Sequence, residues 1–158
     1  MKTQKLVCLF LGCSLLFLAP VVYGEVVKGD IGLGLNYPGV GVRYFLSDKI
    51  SLELKSQSEN NIILGGFRGY WYFRPIKTIL PFAGVEVDYA SFKGNNSEGT
   101  GITGEVFAGI EHFFVKSFSV QLDFGPAIVS LTDKGSSESV NDLEYVVNFG
   151  INYYFGKK

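Results

Sequence analysis

Five carboxylates, Glu86, Asp88, Glu105, Asp123 and Glu144, carry most of the reactive chemistry of this chain. Two of them brought together could work as a general acid and base, and several could hold a cation, if the fold converged them. His112 is the only histidine in 158 residues. A multi-histidine metal cluster is therefore excluded, and a nucleophilic triad would have to be built around this one side chain. Gly32-Leu33-Gly34 is not a phosphate loop, because no helix pattern follows it. Asn95-Asn96-Ser97 matches a glycosylation acceptor, a three-residue pattern read here as a chance match. Both cysteines, Cys8 and Cys13, fall in an N-terminal leader, so the remaining chain is expected to have no disulfide, thiolate nucleophile or cysteine metal site.

The leader reading rests on Lys2 and Lys5, an apolar stretch over 6–18, then Pro20 and a small-residue cut site at Val22-Tyr23-Gly24. That stretch falls short of the roughly 20 apolar residues of a membrane anchor. A lipoprotein cut before Cys13 would follow only a handful of apolar residues and has Phe10 where a small aliphatic is usual. The expected division is a signal peptide over 1–24 and one domain over 25–158. With 47% hydrophobic residues, 20 Gly, 14 Phe and 9 Tyr, the chain is too apolar and aromatic to be disordered. Without Lys2 and Lys5 it keeps 12 Lys and Arg against 15 Asp and Glu, a formal charge of −3 with no basic run. Nucleic acid is not an expected partner. No later segment is long and apolar enough for a membrane helix, which leaves a soluble exported domain or a transmembrane β-barrel.

Beyond residue 25 the hydrophobic pattern repeats every two residues and is broken by turn-rich clusters. Eight strands are predicted, over 28–37, 39–45, 50–56, 62–73, 79–90, 102–114, 118–131 and 143–155. Short connections at 46–49, 74–78 and 115–117 alternate with longer polar loops at 57–61, 91–101 and 132–142, the arrangement of an outer-membrane barrel.

Parity splits every strand into two faces. One carries Leu33, Val42, Leu52, Phe67, Val85, Val106, Leu122 and Phe149 with their apolar neighbours and no charge. The other carries Arg43, Glu53, Lys55, Arg68, Glu86, Asp88, Glu105, Glu111, Asp123 and Glu144, with Gln121, Asn148 and Asn152. A lipocalin-like barrel would turn the apolar face inward around a ligand, whereas a membrane barrel turns it outward. The charged face decides between them, because it also holds Gly41, Gly66, Gly84, Gly109, Gly125 and Gly150 beside bulky Tyr70, Phe82, Phe107 and Tyr154. A solvated sheet surface would not combine strand-weakening glycines with bare aromatics, but a narrow lumen of alternating small and large residues needs both. With periplasmic termini, Trp71, Phe73, Phe114, Phe118, Tyr153 and Phe155 would form an aromatic girdle at one interface, with Tyr37 and Tyr89 toward the other. His112 shares parity with Ile110 and Phe114, which puts it outside near the periplasmic rim, away from the outer leaflet where a lipid-modifying enzyme would work.

The segment Asn148-Phe149-Gly150-Ile151-Asn152-Tyr153-Tyr154-Phe155 resembles the C-terminal assembly signal of the small outer-membrane barrels, the OmpA-type transmembrane domain, OmpX, Ail and the opacity proteins. Asn148, Gly150, Tyr153 and Phe155 are the matching positions, and Gly156-Lys157-Lys158 extends past the terminal aromatic where the family usually stops. Gly66-Phe67-Arg68-Gly69-Tyr70 and Pro81-Phe82-Ala83-Gly84-Val85 also look family-like. The resemblance implies recognition by the outer-membrane assembly machinery, contact with outer-membrane lipid and lipopolysaccharide, a monomer, and no catalytic set.

The resulting expectation is an all-β, eight-stranded antiparallel up-and-down barrel without cofactor, metal or catalysis, in a structural or surface-interaction role. Its lumen is expected to hold a charge network of Arg43, Glu53, Arg68, Glu86, Asp88, Glu105, Asp123 and Glu144. The simplest registers pair Phe45 with Ser51, setting Arg43 opposite Glu53, and Phe73 with Ile79, setting Arg68 opposite Gly84 and diagonal to Glu86. The weaker alternatives are an outer-leaflet lipid-A-modifying enzyme and a narrow pore or carrier for small apolar molecules.

Overall fold

A computed structural model describes residues 26–36, 39–59, 62–93, 98–133 and 139–155. The leader, Tyr37, the Asn95-Asn96-Ser97 triplet and the tips of the longer loops lie outside this set. Eight strands follow in chain order: β1 (Ile31–Asn36), β2 (Gly39–Ser47), β3 (Ile50–Glu59), β4 (Ile62–Tyr72), β5 (Ile79–Lys93), β6 (Glu98–Val115), β7 (Phe118–Asp133) and β8 (Ser139–Phe155). Each pairs antiparallel with the next, and β8 returns to β1 through Ile31 opposite Phe155, closing an up-and-down barrel. All eight strands lie where the two-residue period places them, although β1 starts at Ile31 rather than at residue 28, because Lys28 and Gly29 form a turn. β3 and the strands from β5 onward run further toward the loop end than expected. There Lys93 pairs with Glu98 and Thr132 with Ser139, because backbone pairing continues after the apolar alternation has given way to Ser, Thr and Gly.

The rim at the loop end is uneven. β1 reaches only Asn36, opposite Gly150, before the chain turns back to Gly39. Residues 139–147 of β8 therefore have β7 on one side and, among the described residues, no β1 residue on the other.

The apolar face points outward on every strand, and the charged face is buried. Phe67, Val85, Val106, Phe124 and Val147 are all more than half exposed, whereas Arg43, Glu53, Arg68, Glu86, Glu111 and Asp123 are almost completely enclosed. The interior aromatics Phe45, Tyr70, Tyr72, Phe82, Phe107, Phe113 and Tyr154 gather at the turn end, their rings 5.4 to 6.2 Å apart in mostly tilted or edge-on contacts. Glycine makes room for them. A Cβ on Gly84 would overlap the Phe107 ring and one on Gly109 the Phe82 ring, each also meeting the backbone of the adjoining strand, so these rings occupy the space that the two glycines leave empty.

One register departs from expectation. Phe73 lies beside Pro81 rather than Ile79, donating its N–H to the Pro81 carbonyl at 2.9 Å, and Arg68 sits directly opposite Glu86. The β4–β5 hairpin turns later than the Arg74–Pro75 break implies. Ile76 and Ile79 exchange both backbone hydrogen bonds, leaving a two-residue turn in which Lys77 has φ 58°. Pro75 has no N–H for the ladder and sits in the irregular stretch between Tyr72 and Ile76. The displacement is two residues, an even number, so every side chain keeps its face.

Candidate functional site

The barrel interior is where the chemistry-bearing side chains converge. β2 delivers Arg43 inward because its neighbours Val42 and Tyr44 take the outer face. The Arg43 guanidinium is 2% exposed and reaches partners on six other strand positions. Its Nε and Nη2 donate to Glu53 Oε2 at 2.9 and 2.6 Å, and Nη2 also meets the Tyr70 hydroxyl and Gln121 Oε1, both at 2.7 Å. Nη1 donates to the Tyr72 hydroxyl at 2.8 Å, the Tyr154 hydroxyl at 3.0 Å and Glu111 Oε2 at 3.4 Å. These partners come from β3, β4, β6, β7 and β8, so one cationic fork ties together most of the barrel's cross-section. The ring of Tyr70 lies 4.0 Å from the guanidinium carbon, adding a cation–π contact. Glu111 is satisfied in turn by the Tyr154 hydroxyl at 2.5 Å, Asn152 Nδ2 at 3.2 Å and the Ser119 hydroxyl.

A second cluster lies toward the loop end. Arg68 ion-pairs with Glu86 Oε2 through Nε at 2.6 Å and donates from Nη2 to Asp123 Oδ1 at 2.8 Å, while Phe107 lies under it at 4.0 Å. Lys55 on β3 pairs with Glu86 and lies 3.4 Å from Asp88 Oδ2. Gln121 joins the two clusters. Its Oε1 accepts from Arg43 and its Nε2 donates to Asp123 Oδ2 at 3.0 Å. Asn148 Nδ2 also donates to Asp123, at 3.0 Å.

Seven of the eight anticipated network residues are buried within this interior: Arg43, Glu53, Arg68, Glu86, Asp88, Glu105 and Asp123. Glu144 is the exception. It shares their face, opposite Ala127, but on the high wall of β8 it is exposed and outside the buried clusters. Glu105 is enclosed without being paired like the others: it lies directly opposite Glu86, and its Oε1 has no hydrogen-bond partner. Glu111 and Lys55, which also have the inward parity, join these clusters beyond the expected set. Glu111 in particular completes the Arg43 cluster from β6, a pairing that no local spacing announces.

Of the four positions resembling an assembly signal, Asn148 and Gly150 face inward, the latter beside Asn36, where a Cβ would overlap the amide. Tyr153 and Phe155 face outward with rings 5.0 Å apart. His112 packs its ring edge-on to Phe114 at 4.8 Å on the outer wall, paired with Ile79 and Val120. Among the described residues no group of three metal-ligating side chains lies together. The interior is thus a crosslinked polar core in which most acids are occupied by arginine, lysine, amide and hydroxyl donors, with Glu105 the exception. No protein-family model matches the sequence, and no curated protein matches it.

Proposed function

We propose that this chain is an exported outer-membrane β-barrel protein of the small OmpA, OmpX, Ail and opacity-protein type, acting in a structural or surface-interaction role without catalysis. The observation that carries the proposal is the inversion of the usual burial pattern: a continuous apolar exterior around a barrel whose enclosed core is charged. A monomer in water rarely exposes more than a few hundred Å² of contiguous apolar surface. A hydrocarbon environment removes that cost, and closure leaves the spanning backbone paired within the sheet.

In this reading the turns between β2 and β3, β4 and β5, and β6 and β7 are periplasmic, beside outward Trp71, Phe73, Phe118, Tyr153 and Phe155. The longer connections face the outside and carry the surface role, and the C-terminal strand addresses the chain to the assembly machinery. The Arg43 cluster plugs the lumen, so planar-bilayer recordings should show no steady conductance.

The test is fractionation of cells expressing the chain, followed by gel mobility with and without boiling, which should show an outer-membrane species whose migration shifts on heating. Cysteine variants add position. Lipid-soluble quenchers should reach labels at Val85 and Val120 but not at Glu86 and Gln121. Equal access from water at all four would overturn the membrane assignment, and altered lipid A in expressing cells would replace the non-catalytic role with an enzymatic one.

A further inference from the structure

The outer wall is not uniformly smooth. Between β3, β4 and β5, at the turn end, Ile50, Gly69, Trp71, Phe73, Ala83 and Val85 line a groove of about 510 Å³. Its origin lies in two small outward residues on adjacent strands. Gly69 pairs with Val85 and Ala83 with Trp71, so the small residues sit diagonally and leave a trough between larger neighbours. The volume falls within the roughly 300–1,000 Å³ typical of small-molecule sites.

Cations stand beside the groove's turn-end residues in sequence. Lys49 immediately precedes Ile50, and its carbonyl accepts the Tyr72 N–H at 2.8 Å, which laces the β2–β3 turn to the foot of β4. Arg74 immediately follows Phe73, and Lys77 stands in the two-residue turn below it. All three side chains are exposed. The neighbouring carboxylate, Asp48, is turned to the other side, where its Oδ1 accepts the Lys28 N–H at 2.9 Å.

We propose that this groove is a binding site for one anionic phospholipid, with an acyl chain along Gly69 and Ala83 and the phosphate among Lys49, Arg74 and Lys77. The site rests on the membrane reading above, which puts the turn end in the inner leaflet and so makes the ligand a phospholipid rather than lipopolysaccharide. An apolar trough supplies contact area for a chain, and basic side chains at its polar end attract a negative headgroup at short range. Neither feature alone would select a lipid class. Together they favour an anionic over a zwitterionic headgroup on the same chains.

The experiment uses the full chain in nanodiscs of mixed phosphatidylglycerol and phosphatidylcholine with matched acyl chains, then native mass spectrometry of the lipid retained on release. The wild type should keep one phosphatidylglycerol several-fold in excess of phosphatidylcholine. The combined variant Lys49→Gln, Arg74→Gln, Lys77→Gln should retain the two lipids equally. Gly69→Leu should lower retention of both. A Cβ at Gly69 meets only Leu52 and Val85, each at an ordinary 3.8 Å, so this change fills the groove without forcing the wall apart. The heat-dependent mobility shift verifies that each variant is folded. Equal retention of both lipids by the wild type, or a preference that survives in the triple variant, overturns the site. If the wild type inserts into pure phosphatidylcholine nanodiscs yet shows no preference, the lipid site fails and the membrane reading stands. A chain that enters no bilayer overturns both.

Discussion

Arg43 and Glu53 are direct cross-strand neighbours on β2 and β3, and one carboxylate oxygen of Glu53 accepts from both Nε and Nη2 of Arg43. The same guanidinium also reaches Glu111, 68 residues further along the chain, so its removal strands two buried acids at once. Arg43→Ala should lower unfolding stability by about 3–5 kcal/mol, the usual cost of leaving a buried charge uncompensated. Arg43→Met combined with Glu53→Gln and Glu111→Gln should be less destabilised than Arg43→Met alone. Urea titration of the refolded barrel, followed by the heat-dependent gel shift, measures both.

Arg68 and Glu86 face each other across β4 and β5, and Asp123 and Lys55 complete their surroundings. Arg68→Ala should therefore cost more than Arg68→Ala together with Glu86→Gln, because the double variant no longer leaves that carboxylate short of its partner. A double-mutant cycle reads the coupling directly. Additive effects would show that the two side chains contribute independently despite their contact.

Glu105 should behave in the opposite way. It lies across from Glu86, a like charge, and one of its oxygens has no partner. Glu105→Gln removes the repulsion while keeping the shape, so it should leave stability unchanged or raise it by up to about 1 kcal/mol. A clear loss in the same urea titration would mean that the carboxylate has an essential charged partner.

The edge of β8 that has no partner strand among the described residues has a dynamic consequence. Over residues 139–147 successive backbone groups point alternately to β7 and to the side where β1 has already ended. Amide hydrogen exchange should divide accordingly: amides bonded to β7 slow, and those on the open side fast. From Gly150 to Phe155 both sets should be slow. Uniform protection along all of β8 would show that another segment covers the edge.

Phe155 closes the barrel opposite Ile31 and presents its ring outward beside Tyr153. If it serves as the assembly determinant, Phe155→Ala should lower the amount of barrel inserted in cells while changing detergent refolding of the purified chain much less. Normal insertion of this variant would make the likeness to the assembly signal accidental.

The sequence by itself determined the eight strands and the division of each into two faces, because a period of two is a local property of the backbone. It also carried the direction of those faces, since glycines such as Gly84 and Gly109 are useful only where rings like Phe107 and Phe82 must be accommodated at close range. The Arg43–Glu53 pair was legible for the same reason, lying across one short turn. Tertiary structure alone decided the rest. The β4–β5 register depended on where the chain would turn after Pro75, and a two-residue displacement there is invisible to parity yet changes the partner of Arg68 from Gly84 to Glu86. Glu111 and Asp123 reach their arginines across the lumen, over 68 and 55 residues of chain. Such pairs arise from closure of the sheet, which brings together strands that share no turn, and periodicity along a single strand carries no information about them.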